Sequence, residues 1–158
     1  MANAPALAHP PFVGDDGVWC QQVRAVSGGL RPALFLDRDG VIVEEVHYLH
    51  RAEEMRLTTN AAVVIRAANT HGLPVIVVTN QSGVGRGNYG WSDFEAVQAA
   101  MLDALATENA FIDAVFACPF HGGGEAPWNI VDHPDRKPGP GMLLRAAAQV
   151  RRKDGVTC

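Results

Sequence analysis

The segment Ala33-Leu34-Phe35-Leu36-Asp37-Arg38-Asp39-Gly40 constrains the fold more than any other part of the chain. Its apolar run has no polar break, which predicts a strand buried on both faces, as in a parallel sheet covered by helices. The run stops at Asp37, and a second carboxylate follows at Asp39 beside Gly40, whose missing Cβ permits a sharp turn. Ligands of parallel α/β sheets sit beyond the carboxyl ends of the strands. Two acids there are well placed for chemistry, Asp37 as a nucleophile able to form an acyl-phosphate and Asp39 as a general acid/base. The same residues also read as a plain Asp-Gly turn closing a core strand, so the rest of the chain must decide.

A second apolar run, Leu73 to Val78, ends in Thr79-Asn80-Gln81-Ser82-Gly83-Val84-Gly85-Arg86-Gly87. Between the two runs, Thr59-Asn60 predicts the cap of a helix reaching about His71. Ala61, Val64, Ile65 and Ala68 would share one face, and Gly72 would be the stop. Strand, helix, strand makes a parallel pair and brings Thr79 to the same sheet edge as Asp37. A hydroxyl, amide N–H groups and a glycine-rich turn suit a phosphate cradle, to which Arg86 can add a forked donor. No Gly-Lys-Ser/Thr follows, so this is not a P-loop. Val41 to Met55 has no clean period and directly follows the two acids. It reads either as a substrate-choosing loop or as a solvated connector.

Further on, Ser92-Asp93-Phe94-Glu95 predicts a capping box and a helix through about Ala106, with Phe94, Val97, Met101, Leu102 and Leu105 in the core. Phe111 to Ala117 predicts a third strand. Cys118-Pro119-Phe120-His121 and a Gly122–Gly124 loop follow, and Pro140 suits the first turn of a last helix over 142–152. Lys137, just before that helix, is either a surface lysine or a cation that neutralises a phosphoryl group and the aspartates. Upstream, Met1 to Asp16 reads as an irregular arm, disordered at its start. Val18 to Val23 reads as a short strand packing Trp19. We therefore expect an arm over 1–30 and one domain over 31–158.

The net charge of −4 and pI near 5.8 argue against a nucleic-acid footprint. No Lys or Arg precedes Arg24, no long apolar run lies near Met1, and no run is long enough to span a bilayer, so neither a signal peptide nor a membrane anchor is expected. Cys20, Cys118 and Cys158 are odd in number and lack CxxC spacing, which fits a reduced, cytoplasmic setting.

Taken together, Asp37-Arg38-Asp39-Gly40, Thr79-Asn80-Gln81-Ser82-Gly83 with Arg86-Gly87, and Arg136-Lys137-Pro138 resemble the haloacid dehalogenase (HAD) phosphatases. Their order and spacing are most similar to the branch of heptose bisphosphate and histidinol-phosphate phosphatases, over roughly 34–144. The resemblance implies an α/β, HAD-like (Rossmannoid) three-layer fold around a parallel sheet. It implies a Mg²⁺-dependent phosphomonoesterase acting on a small phosphorylated metabolite, a sugar phosphate foremost, through an aspartyl-phosphate. Asp37 would be the nucleophile, and Asp39 would protonate the leaving oxygen and then activate water. Mg²⁺ would be held by the Asp37 carboxylate and the Asp39 backbone carbonyl. Thr79, Asn80, Gln81 and Arg86 would contact phosphate, Lys137 would stabilise negative charge, and Arg136 would contact substrate.

The chain departs from that pattern twice. The branch carries a zinc loop, Cys-x-His followed by Cys-x-Cys. Here Cys118 is kept, Phe120 fills the histidine position, and His133 and Asp135 stand where the paired cysteines would be. Cys118, His121, His133 and Asp135 make only a weak zinc set, so zinc is not expected. The family's fourth motif, further Mg²⁺ acids after another core strand, would lie beyond Cys158, and Asp154 is a poor substitute. We therefore expect a fold incomplete at its C-terminus and an uncovered sheet edge along Ala33–Asp37, open to self-association. The alternative function is a catalytically impaired fragment that binds phosphate or a partner chain. If the chain is a phosphomonoesterase, Val41–Met55 and Gly122–Val131 are the expected selectivity loops.

Overall fold

The computed structural model describes residues 11–26 and 29–151, the side chain of Arg151 excepted. The readings made for residues 1–10, for Ser27-Gly28 and for Asp154 lie outside the described residues. The strands are β1 (Phe12–Val13), β2 (Trp19–Gln22), β3 (Leu34–Leu36), β4 (Val75–Asn80) and β5 (Ala114–Cys118). The helices are α1 (Ala61–Thr70), α2 (Ser82–Gly85), α3 (Trp91–Thr107) and α4 (Gly141–Arg151), with a 3₁₀ turn at Ala52–Glu54.

The strands form one sheet in the order β1-β2-β5-β4-β3. β3, β4 and β5 run parallel, with Leu34 opposite Val75 and Ile76 opposite Ala114. β2 joins β5 antiparallel, with Trp19 opposite Ala117, and β1 joins β2 antiparallel. Residues 12–22, read as arm and short strand, thus extend the sheet.

Alternation along the strands divides the core into two layers. Val75, Val77, Val115 and Ala117 face one cluster, with Ile65 of α1 and Phe94, Val97, Met101 and Leu105 of α3. Ile76, Val78, Phe116 and Cys118 face the other, with Met142, Ala146 and Val150 of α4. Each large apolar side chain fully withdrawn from water contributes about 1.5–3 kcal/mol. The four buried anchors of α3 therefore hold it far more firmly than its caps do.

Several local readings need correction. Leu34, Phe35 and Leu36 are half-buried rather than buried on both faces, because β3 is an edge strand that pairs only with β4 among the described residues. Val64 is 50% exposed, so only Ala61, Ile65 and Ala68 anchor α1. Asn60 adopts φ 70 and makes no side-chain cap. The nearby Thr58 hydroxyl instead donates to the Val41 carbonyl at 2.6 Å. α3 begins one residue before the predicted box: Gly90 is its N-cap, and the Asp93 carboxylate accepts the Gly90 N–H at 2.9 Å. Glu95 turns instead to β2 and accepts the Trp19 Nε1–H at 2.9 Å. β5 starts three residues late because Phe111 is engaged elsewhere, exchanging two hydrogen bonds with the Asn69 side chain at 2.8 and 2.9 Å. Cys118 is a buried free thiol, whereas Cys20 is disulfide-bonded.

Candidate active site

β3 and β4 deliver their carboxyl ends to one rim, and the turn after β3 shapes it. The Arg38 carbonyl accepts the N–H groups of Val41, Ile42 and Val43 at 3.3, 2.9 and 3.0 Å. Gly40 sits inside this turn at φ +76, where a side chain would be strained. The Asp39 carbonyl takes no donor in that arrangement. It and the Asp37 carboxylate are two oxygens of the hard type that Mg²⁺ binds while keeping several waters, so the donor set fits that ion.

The loop before α4 brings Lys137 to the same rim. Its Nζ lies 2.6 Å from Asp37 Oδ2, while Asp37 Oδ1 accepts the Arg38 N–H at 2.8 Å. Asn80, at the end of β4, holds that loop. Its Nδ2 donates to the Lys137 carbonyl at 3.1 Å, and its Oδ1 accepts the Lys137 N–H at 3.0 Å. The Asn80 amide, expected on phosphate, is thus spent on placing Lys137.

Behind the rim lies a buried polar group. Arg38 is 1% exposed, and its guanidinium grips Asp39, with Nη2 at 2.9 Å and Nε at 3.2 Å from Oδ1. It also lies 4.8 Å from the Phe94 ring centroid, a cation–π distance. Gln81 Nε2 donates to Asp39 Oδ2 at 2.8 Å and to Thr79 Oγ1 at 2.9 Å. The Tyr89 hydroxyl donates to Gln81 Oε1 at 2.6 Å. Burial pushes the Tyr89 phenol up to about 12, so it keeps its proton at neutral pH. Gln81, expected to touch phosphate, borders the site but is 2% exposed, with its amide fully engaged by Asp39, Thr79 and Tyr89.

A cavity of about 290 Å³ opens over these groups, lined by Asp37, Asp39, Asn80 and Gln81 on one side and by Glu45, His47 and Tyr48 on the other. The lining thus includes part of the Val41–Met55 loop. Gly83 permits the close approach of Tyr89 and Tyr48, whose rings would collide with a Cβ there. Residues of the Gly122–Val131 loop do not line this cavity. A larger cavity of about 380 Å³ lies between β2 and α3, but it is mainly apolar and holds no basic side chain.

Arg86 and Arg136 stand to one side of the 290 Å³ cavity, at the loop after β5. Arg86 Nη2 lies 3.1 Å from both ring nitrogens of His121, and Arg136 Nη1 donates to the Phe120 carbonyl at 3.0 Å. Desolvation, and then the Arg86 and Arg136 cations, lower the His121 pKa. Each of the four weak zinc candidates has other protein partners, although two of them meet, His133 Nδ1 lying 3.8 Å from Asp135 Oδ2. Asp135 is clasped by Arg145 through two bonds of 2.8 Å. His133 stacks on Phe120 with ring centroids 3.7 Å apart. His121 meets Arg86, and burial pushes the Cys118 thiol up to about 11.

Two members of the rim escaped the sequence reading. Arg38 carried a signal: a cation between two acids, one residue beyond a core strand, alternates into the protein and then needs a partner. Tyr89 carried none, since nothing in its neighbourhood distinguishes it from a loop tyrosine.

The comparisons agree with this geometry. No family model matches the chain. It is similar to a crystal structure of a chain from Mesorhizobium loti named for its likeness to HAD phosphatases, with TM-score 0.83 and 41% identity, covering 94% of this chain and 69% of that one. It is also similar to the D,D-heptose 1,7-bisphosphate phosphatase of B. bronchiseptica complexed with magnesium and phosphate, with TM-score 0.65 and 28% identity over 75% of this chain and 63% of that one. The fold is therefore that of the HAD-like phosphatases.

Among curated proteins, the D-glycero-β-D-manno-heptose-1,7-bisphosphate 7-phosphatase of Mesorhizobium japonicum is 43% identical over 151 residues, 95% of this chain and 69% of the relative. The Rhodopseudomonas palustris enzyme of the same name is 46% identical over 117 residues, 74% and 65%. The chain belongs to the family of heptose-1,7-bisphosphate 7-phosphatases. It spans about two-thirds of the length of these relatives.

Proposed function

We propose that the chain is a Mg²⁺-dependent phosphomonoesterase acting on a phosphorylated sugar, heptose 1,7-bisphosphate foremost. The observation that carries this reading is the meeting of Asp37 with Lys137 at 2.6 Å beside Asp39. Three distant chain segments supply these groups and Thr79. The family relationship and the magnesium and phosphate bound by the B. bronchiseptica relative support it.

In the reaction, an Asp37 carboxylate oxygen attacks phosphorus as the bond to the sugar oxygen breaks. Asp39 gives its proton to that leaving oxygen. Water then attacks the aspartyl-phosphate and loses a proton to Asp39, which restores the Asp37 carboxylate and frees inorganic phosphate. The Asp37 carboxylate and the Asp39 carbonyl would hold Mg²⁺, which supplies charge neutralisation at the phosphoryl oxygens. Lys137 adds a fixed positive charge beside the same oxygens, while the buried Thr79 hydroxyl, expected on phosphate, donates to Asp39 Oδ2 at 3.4 Å instead. Glu45, His47 and Tyr48 face the sugar, and Arg136 and Arg86 offer cations to a second phosphate at the loop after β5.

Turnover of heptose 1,7-bisphosphate by the purified chain, lost on chelation and lost in Asp37→Asn, is the expected result. Phosphate binding without turnover would instead favour a phosphate-binding module. Cytoplasmic residence accompanies a phosphorylated substrate and is checked by fractionation; no described helix is long and apolar enough to cross a membrane. Self-association along the free edge of β3 is part of the same reading, and sedimentation as a monomer at all concentrations would remove it.

A further inference from the structure

The buried amide of Gln81 does more than fill space. It is 2% exposed and offers one acceptor oxygen and two N–H donors. All are used: Oε1 accepts the Tyr89 hydroxyl, and Nε2 serves both Asp39 Oδ2 and Thr79 Oγ1. Turning the amide over would aim Oε1 at a carboxylate and a hydroxyl oxygen and place Nε2 against Arg38, whose Nη2 lies 3.4 Å from Oε1. The network thus decides the amide orientation.

Two consequences reach the rim. Oδ2 of Asp39 is drawn to Gln81 while Oδ1 is drawn to Arg38, which fixes the plane of the carboxylate. The Thr79 oxygen accepts one Nε2 N–H, and its own proton is donated to Asp39 Oδ2 at 3.4 Å, so the fully buried Thr79 hydroxyl is also turned onto that carboxylate.

We propose that Tyr89 and Gln81 form a positioning relay that orients the Asp39 carboxylate, directly through Gln81 Nε2 and indirectly through the Thr79 hydroxyl. Its catalytic consequence rests on the phosphatase reading above, but the relay itself is a property of the resting chain.

The test uses Tyr89→Phe, which keeps the ring on His50, and Gln81→Leu. In the ¹⁵N-labelled chain the Gln81 side-chain amide should give two protected proton signals, assigned by their loss in Gln81→Leu. Tyr89→Phe should make them exchange about tenfold faster or more. Both variants should lower kcat/KM on an alkyl phosphate by about 10- to 100-fold, with KM nearly unchanged. The loss should be clearly smaller on 4-nitrophenyl phosphate, whose leaving group needs no proton.

Protected signals retained in Tyr89→Phe, equal losses on the two substrates, a loss confined to KM, or lost protection with full turnover would each overturn the relay. A parent chain without turnover overturns the phosphatase reading instead, and the amide signals then decide the relay alone.

Discussion

Two arginine–carboxylate pairs, one at each end of the parallel strands, are built in opposite senses. At the rim, the Arg38 side chain is 1% exposed and its partner Asp39 23%. At the far end, the Asp113 carboxylate is 7% exposed and its partner Arg24 25%. Asp113 ties three strands together there. Its Oδ2 accepts the Val75 N–H at 2.8 Å, its carbonyl accepts the Val23 and Arg24 N–H groups at 2.8 and 3.1 Å, and its own N–H donates to the Val75 carbonyl at 2.8 Å. Asp135 and Arg145 repeat this far-end arrangement before α4, with the carboxylate buried and the guanidinium outside. Where a pair only holds the fold, the carboxylate faces inward to collect backbone donors. At the rim, where the Asp39 carboxylate faces the cavity, the cation takes the inside position.

The largest effect expected from breaking this contrast lies in the chemistry. Asp37→Asn should leave the fold intact, since Asn keeps an oxygen for the Arg38 N–H, and lower turnover at least about 10⁴-fold. Steady-state assays with a thermal melt on the same sample check both halves.

The next effect is on stability. Asp39→Ala strands the buried Arg38 cation, and leaving one member of a buried pair uncompensated costs about 3–5 kcal/mol. Adding Arg38→Met should recover most of that loss, because a well-packed apolar side chain carries no charge to desolvate. At the far end, Asp113→Asn strands an Arg24 that can reach water, and the expected loss is about 1 kcal/mol. Urea melts of these variants read the asymmetry directly. Equal losses at Asp39 and Asp113 would show that the difference in burial has no energetic meaning.

A smaller change concerns how the rim is assembled. Asn80→Ala removes both bonds to the Lys137 backbone but touches no reacting atom. Turnover should fall about tenfold with little change in melting. Asn80→Asp keeps an acceptor for the Lys137 N–H and should lose less.

Much of this rim could be read from residue order alone. Asp37 follows a strand, Thr79 lies near the end of one and Lys137 precedes a helix, each with a plain pattern, and parallel connection forces them to one edge. The sheet's second half was less legible. Trp19–Gln22 is too short to show a period, and its antiparallel place beside β5 depends on Trp19 meeting Phe94 and Glu95, contacts some 75 residues away in sequence. The side-chain partners of Asn80 and Gln81 are not legible for a related reason. A polar side chain after a strand can face the ligand or face inward, and only the positions of Lys137 and Tyr89 decide between the two.

The last contrast between the two ends is in their response to pH. Desolvation by burial raises the pKa of Asp113 above its ordinary 3.8, and the Val75 N–H and Arg24 only partly oppose that rise. The folded chain therefore binds this proton more tightly than the unfolded chain does. Below about 3.8 both states are protonated and the group is neutral in the balance. As pH rises from there through the folded value, the unfolded state ionises first and stability falls, with a slope of at most about 1.4 kcal/mol per pH unit for one proton. Asp113→Asn cannot ionise, so its stability should run flatter than the parent's over that interval. Urea midpoints taken every half unit upward from pH 3.5 measure the difference. A parent curve that rises more steeply than the variant's there would mean that Arg24 and the Val75 N–H outweigh desolvation, so that the far-end carboxylate is held as an ion.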